Sequence, residues 1–235
     1  MMLFSLLFYV ALIILVGGFF WRISLYYKAP APLKIPTTPA PISKIGVVWR
    51  LFTEVAFFNS LFKANKWTWA GSIAFHLAMV VVLIRHIRYF CPVPEWFAMI
   101  NIFGIMAGLV MVGALGFLFL RRLAVDRVRI ISSPADYIVL LILIGIGTTG
   151  LMMDFVVRPD IVTIKAAMSG MLTFSSAAPP ADIGFFVHFI LVLVLMVYFP
   201  FSKLMHAGGI FFSPTRNQTD NPREKRHVNP WAKKL

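Results

Sequence analysis

Four of the chain's five histidines lie in two apolar runs: His76 and His86 in one, His188 and His206 in the other. His227, the fifth, sits in a polar tail between Arg226 and Val228 and reads as a solvated side chain. An ionisable side chain inside a membrane span is costly, so it normally has a partner and a job. Two histidines on each of two membrane helices can be matched by depth into two pairs of imidazoles. That is the donor set for axial ligation of two b-type haems. A structural hydrogen bond between helices explains one such histidine but accounts poorly for four.

The elements that must hold these residues are set by composition. The chain has 235 residues, 60% of them apolar and only 13% charged, with a mean hydropathy of +0.84. A soluble globular domain has no use for so much apolar surface, which indicates one polytopic, all-α membrane domain. The formal charge of +13 does not indicate nucleic acid, because the cations collect in the connections between apolar runs, as topology signals do. The single cysteine, Cys91, excludes an internal disulfide, a four-cysteine zinc site and a protein-held iron–sulfur cluster. Beside Pro92 it reads as an incidental interfacial thiol.

Five runs are long enough to cross a hydrocarbon layer as helices: residues 3–24, 67–89, 97–120, 135–157 and 183–203. The first has no basic segment before it and no small-residue cleavage site, so it reads as a retained span. Lys and Arg concentrate between spans one and two, after span three and after span five. The positive-inside rule then places the N-terminus outside and the C-terminus in the cytoplasm of a prokaryotic cell membrane.

Pro30, Pro32, Pro36, Pro39 and Pro41 make the start of the first cytoplasmic connection extended. Residues 46–62 follow with helical spacing of apolar side chains, predicting an amphipathic surface helix that serves as an interfacial brace or a partner platform. Gly104, Gly108, Gly113, Gly116, Gly145, Gly147 and Gly150 suit close packing of spans three and four. The outside connection from Asp160 to Pro180, through Ser175 and Ser176, predicts a short helix or lid. Residues 1–212 form the five-span domain, and 213–235 form a cytoplasmic tail expected to dock a partner.

Depth matching pairs His86 with His188 near the outer surface and His76 with His206 near the inner one. On an unbroken helix His188 and His206, eighteen apart, share a face and are separated by a rise of ~27 Å, against ~15 Å for His76 and His86. Arg85, Arg88 and Lys203 are candidate partners for haem propionates. Asp154, Arg158 and Asp182, near the outer ends of spans four and five, are candidate quinone-site groups.

The histidine pattern resembles the family of the respiratory nitrate reductase gamma subunit, five-span dihaem cytochromes b with this histidine spacing. The resemblance covers the whole chain. The stretch Glu54…Ser60-Leu61-Phe62…Trp67…Phe75-His76 and the ending Met205-His206…Ser213-Pro214-Thr215-Arg216-Asn217…Asp220-Asn221-Pro222-Arg223 are more narrowly similar to the DsrM group, membrane haem-b subunits of complexes linked to dissimilatory sulfur metabolism.

The resemblance implies two haems b, a quinone substrate (menaquinone or ubiquinone) and electron exchange with a cytoplasmic iron–sulfur subunit similar to the heterodisulfide reductase catalytic subunit (DsrK-like). It also implies a second membrane subunit, a periplasmic multihaem cytochrome c, a periplasmic iron–sulfur protein and, indirectly, the sulfur carrier DsrC. No sulfur chemistry falls to this chain itself. A nitrate reductase is the alternative partner enzyme. A proton or metal transporter is the rival from another class, and it expects carboxylates at mid-span, where this sequence has none.

Overall fold

The computed structural model describes residues 2–31, 33–175, 178–226 and 228. The readings above of Pro32, Ser176, His227 and residues 229–235 lie outside the described residues. Every regular element among those described is helical: α1 (Met2–Lys28), α2 (Lys44–Phe57), α3 (Asn59–Ala64), α4 (Lys66–His86), α5 (Ala98–Ala124), α6 (Asp126–Ile130), α7 (Pro134–Met152), α8 (Ile161–Leu172), α9 (Ile183–Tyr198), α10 (His206–Gly209) and α11 (Pro214–Asn217). Five helical stretches are long and apolar enough to cross a membrane: Leu3–Lys28, Lys66–Tyr89, Glu95–Ala124, Pro134–Val157 and Ile183–Phe201. All five expected spans are present, and the first and third run a few residues longer at their cytoplasmically assigned ends.

The span ends have local causes. Pro134 occupies the first turn of α7, where its missing N–H costs nothing, and the Asp136 carboxylate accepts the Ser133 N–H at 2.9 Å. The far end of α7 widens into a π-turn, Met153–Val157, and stops at Arg158 in the left-handed conformation (φ 48°). Asp160 caps α8 by accepting from the backbone N–H groups of Val162 and Thr163.

One expectation from the sequence does not hold. The helix of span five does not run unbroken from His188 to His206. It ends at Tyr198, passes through a 3-10 turn that includes Pro200, and is extended at Ser202 (φ −116°, ψ 175°). Proline removes a backbone donor and crowds the carbonyl one turn back, which ends the α-helical ladder here. The five-turn rise and the shared face therefore do not describe these two histidines.

The chain divides into two compact units, Met1–Leu15 with Trp67–Tyr198, and Val16–Lys66 with Phe199–Leu235. In the first, one core joins Ala11 of α1, Ile164, Ala167, Met168 and Met171 of α8, and Phe185, Phe189 and Leu193 of α9. The connection between the fourth and fifth spans is thus anchored by a helix, in line with the short helix expected there. A second core joins Phe75 and Ala78 of α4 to Ala107, Met111, Ala114 and Leu115 of α5. Gly147 of α7 allows that helix to approach α5, since a Cβ there would lie 2.6 Å from a Val112 methyl.

In the second unit the expected surface helix is present but broken. It stops at Phe58 (φ 50°) and restarts as α3, because the Glu54 carboxylate takes the Ser60 N–H at 3.1 Å and caps the new start. Arg216 of α11 closes on the same carboxylate at 2.7 Å and on the Ser60 hydroxyl at 2.7 Å. Thr37 N–H donates to the Thr215 carbonyl at 2.9 Å, and Asp220 N–H to the Pro41 carbonyl at 2.8 Å. The first part of the tail is therefore tied to the chain's own proline tract and α2.

The Asp160 cap gives a pH prediction. Hydrogen bonds from the Thr163 hydroxyl, then from the Thr163 and Val162 N–H groups, hold this exposed carboxyl below the usual carboxylate range. A depressed carboxylate stabilises the fold above its unfolded-state pKa, and that contribution fades as the pH falls through the folded value. Acidification is expected to fray the start of α8, read as faster amide exchange at Val162 and Thr163. Asp160→Asn is expected to abolish that pH dependence while retaining most of the cap.

Candidate haem-ligating site

Each of the four span histidines presents its Nδ1 to a backbone carbonyl. His76 meets Ser72 O at 2.7 Å, His86 meets Val82 O at 2.7 Å, His188 meets Ile146 O at 3.0 Å and His206 meets Lys203 O at 2.8 Å. A carbonyl only accepts, so Nδ1 carries the proton in every case and the lone pair rests on Nε2. This is the tautomer a metal-ligating imidazole needs, with its second nitrogen oriented by an outer hydrogen bond.

His86 and His188 lie together within the first unit. Their ring centres are 6.3 Å apart and their planes differ by 12°. A metal–imidazole bond is about 2.0 Å and a ring nitrogen lies roughly 1.1 Å from its ring centre, so two imidazoles on one ion hold their centres about 6.2 Å apart. The observed spacing fits two axial ligands of one iron, and both side chains are half-buried. Two imidazoles supply two donors, which suits a porphyrin iron that brings its own four nitrogens. His76 belongs to the first unit and His206 to the second.

The neighbouring helix fixes His188. Thr149 of α7 places its hydroxyl 3.0 Å from His188 Nδ1 and 2.7 Å from the Gly145 carbonyl, so the hydroxyl donates to the carbonyl and accepts from the imidazole. Gly150 lies against the ring, where a Cβ would be 3.4 Å from His188 Cε1. His86, by contrast, is oriented by the Val82 carbonyl of its own helix. Replacing Thr149 with valine is expected to weaken haem retention at this site by roughly 10- to 100-fold, the usual effect of removing an outer-shell partner. Thr149→Ser should restore most of it, as measured by haem loss to apomyoglobin.

Beside His86, Arg85 is buried and forms a two-point ion pair with Asp154 of the π-turn, at 2.7 and 2.5 Å. Its Nε donates to the Asn101 side chain at 2.9 Å. Gly104 makes room for this arginine, since a Cβ there would lie 2.2 Å from Arg85 Cδ. Arg88 shares Asn101 at 2.8 Å and bonds the Tyr89 hydroxyl at 2.8 Å, while its Nε is buried with no partner among the described residues.

The structure thus pairs Arg85 with Asp154 and engages all three Arg85 nitrogens with protein groups. Asp182 caps α9 by accepting the Phe185 N–H at 3.0 Å. Arg158 and Lys203 are exposed at the ends of their elements. Asn101 and Thr149 were not singled out from sequence. A polar residue inside an apolar span was the available signal, but its partner lies on another helix.

The chain belongs to the nitrate reductase gamma subunit family, whose model matches residues 40–222. It is 37% identical to a protein described as an Hdr-like menaquinol oxidoreductase cytochrome b-like subunit from Archaeoglobus fulgidus, over 95% of this chain and 81% of that protein. A protein of the same description from Archaeoglobus profundus is 32% identical, over 95% of this chain and 80% of that one.

Proposed function

We propose that this chain is a membrane cytochrome b subunit of a quinone oxidoreductase complex. His86 and His188 would be the axial ligands of an outer haem b, and His76 and His206 those of an inner one. The observation that carries this is the near-parallel His86–His188 pair at iron-ligating spacing, with both lone pairs assigned to Nε2. The inner pair rests on the sequence pattern and on the same imidazole tautomer in each residue. The relatives' description as menaquinol oxidoreductase subunits supports menaquinol as the membrane substrate.

Haem, when bound, supplies one-electron chemistry that the side chains of this chain lack. The chain's own residues orient the ligands, exclude water and place charge. Val82, Ile146 and Thr149 hold the imidazole protons, and α7 packs directly against the His188 ring through Gly150. Among the cations expected to meet haem propionates, Arg88 fits best, because its buried Nε has no partner among the described residues. Arg85 serves instead as the internal counter-charge of Asp154. Arg158 and Asp182 remain candidates near the quinone.

In this reading the N-terminus is outside, the tail is cytoplasmic, and the electrons are exchanged with a cytoplasmic iron–sulfur subunit similar to the heterodisulfide reductase catalytic subunit. The wider assembly would include a second membrane subunit, a periplasmic multihaem cytochrome c and a periplasmic iron–sulfur protein, with DsrC interacting indirectly. The test is a reduced-minus-oxidised spectrum after adding a short-chain menaquinol to the purified, oxidised protein. A haem b band that develops with quinol supports the reading. Bound haem that dithionite reduces and quinol does not would overturn the quinone assignment.

A further inference from the structure

Helix α2 is inside out. Positions 47, 50, 51 and 54 form its covered face, and these include Arg50, which donates to the Thr37 carbonyl at 2.9 Å, and Glu54, which is 7% exposed and bonds Arg216 and the Ser60 N–H. Positions 45, 48, 49, 52 and 55 form the opposite face at the i, i+3, i+4, i+7 spacing of one helix stripe. They are Ile45, Val48, Trp49, Phe52 and Val55, all exposed, with Val48 at 67% and Trp49 at 65%. A helix in water turns its polar side outward, so this apolar face has a non-aqueous neighbour.

We propose that the neighbour is an anionic lipid surface, with the stripe seated at the boundary of headgroups and acyl chains. Charge is the first argument. Lys44 opens the same helix and Lys63 and Lys66 follow it in the chain, all three exposed, and the only acidic residue between 29 and 66 is Glu54, buried and neutralised by Arg216. Composition is the second. The face offers no hydrogen-bonding group except the Trp49 indole, whose ring stacks on Phe52 with centres 5.3 Å apart. Protein–protein interfaces carry a larger polar share, whereas a Trp–Phe stripe rimmed by lysines is the pattern of interfacial helices. The third is continuity, since the same unit contains Val16–Lys28, the end of a membrane-spanning helix, with Phe20 and Trp21 exposed and Arg22 and Lys28 beside them.

This inference is independent of the haem assignment and is tested separately. Cys91→Ser gives a cysteine-free background in which Val48→Cys and Phe52→Cys each carry a nitroxide, with Glu224→Cys as the water-exposed reference. The full chain is reconstituted into vesicles of phosphatidylcholine with phosphatidylglycerol. Collision rates are then measured with oxygen, which partitions into lipid, and with a water-soluble nickel chelate. The oxygen-to-nickel ratio at 48 and 52 is expected to exceed that at 224 several-fold, and to fall when phosphatidylglycerol is omitted. Ready collision with the nickel chelate at both positions would overturn the proposal. Shielding of both from both reagents would also overturn it, because it would mean that protein covers the stripe.

Discussion

Asp154→Ala is expected to destabilise the first unit by about 3–5 kcal/mol, the usual cost of stranding one member of a buried ion pair. Arg85 would keep its Asn101 bond but lose both contacts to the carboxylate. Arg85 is buried, so water does not cheaply replace that partner. The sign of the rescue is informative. Removing both charges, in Arg85→Met with Asp154→Leu, is expected to recover most of the loss, because the pair's attraction is offset by the desolvation of its members. Stability would be read as the unfolding midpoint in a mixed-micelle denaturant titration. If the single variant is as stable as the parent, the pair is not a structural link between α4 and the π-turn after α7.

His86→Ala and His188→Ala are each expected to remove one haem, and the same one. An iron left with a single protein ligand is held weakly, so either substitution should lower the haem count by one. The double variant should lower it no further, a non-additivity that two partners on one ion require. Additive loss across the two single variants would place these histidines on different haems. Retention of the full count in both would return the pair to a hydrogen-bonding role.

Much of this was legible in the sequence, for physical reasons that vary by element. The spans follow from hydropathy and length alone, and their ends fall within a few residues of those observed. The four histidines stood out because an imidazole in an apolar run is rare. The break of span five at Pro200 was written in the sequence too, but the apolar run continues through Phe199 and Phe201 and masks it. The break of the surface helix at Phe58 was not legible, because it depends on Glu54 turning inward to Ser60 and Arg216, the latter 162 positions further along the chain than Glu54.

The pairing of Arg85 with Asp154 was hidden for a similar reason. Each was visible as a charge near a span end, but 69 residues separate them and only the packing of α4 against its neighbours brings them together. Thr149 and Asn101 show in the sequence only as polar residues inside apolar spans. Their roles as orienter of His188 and bridge between two arginines come from the other helices.

The central claim, that paired histidines hold two b-type haems, is tested most directly by a pyridine haemochrome count on the purified full-length protein, with an electron paramagnetic resonance spectrum of the oxidised sample. Two haems b per chain with low-spin, bis-imidazole signals are predicted. A well-folded protein that binds no haem b, or holds it only as a high-spin, single-ligand species, would contradict the account.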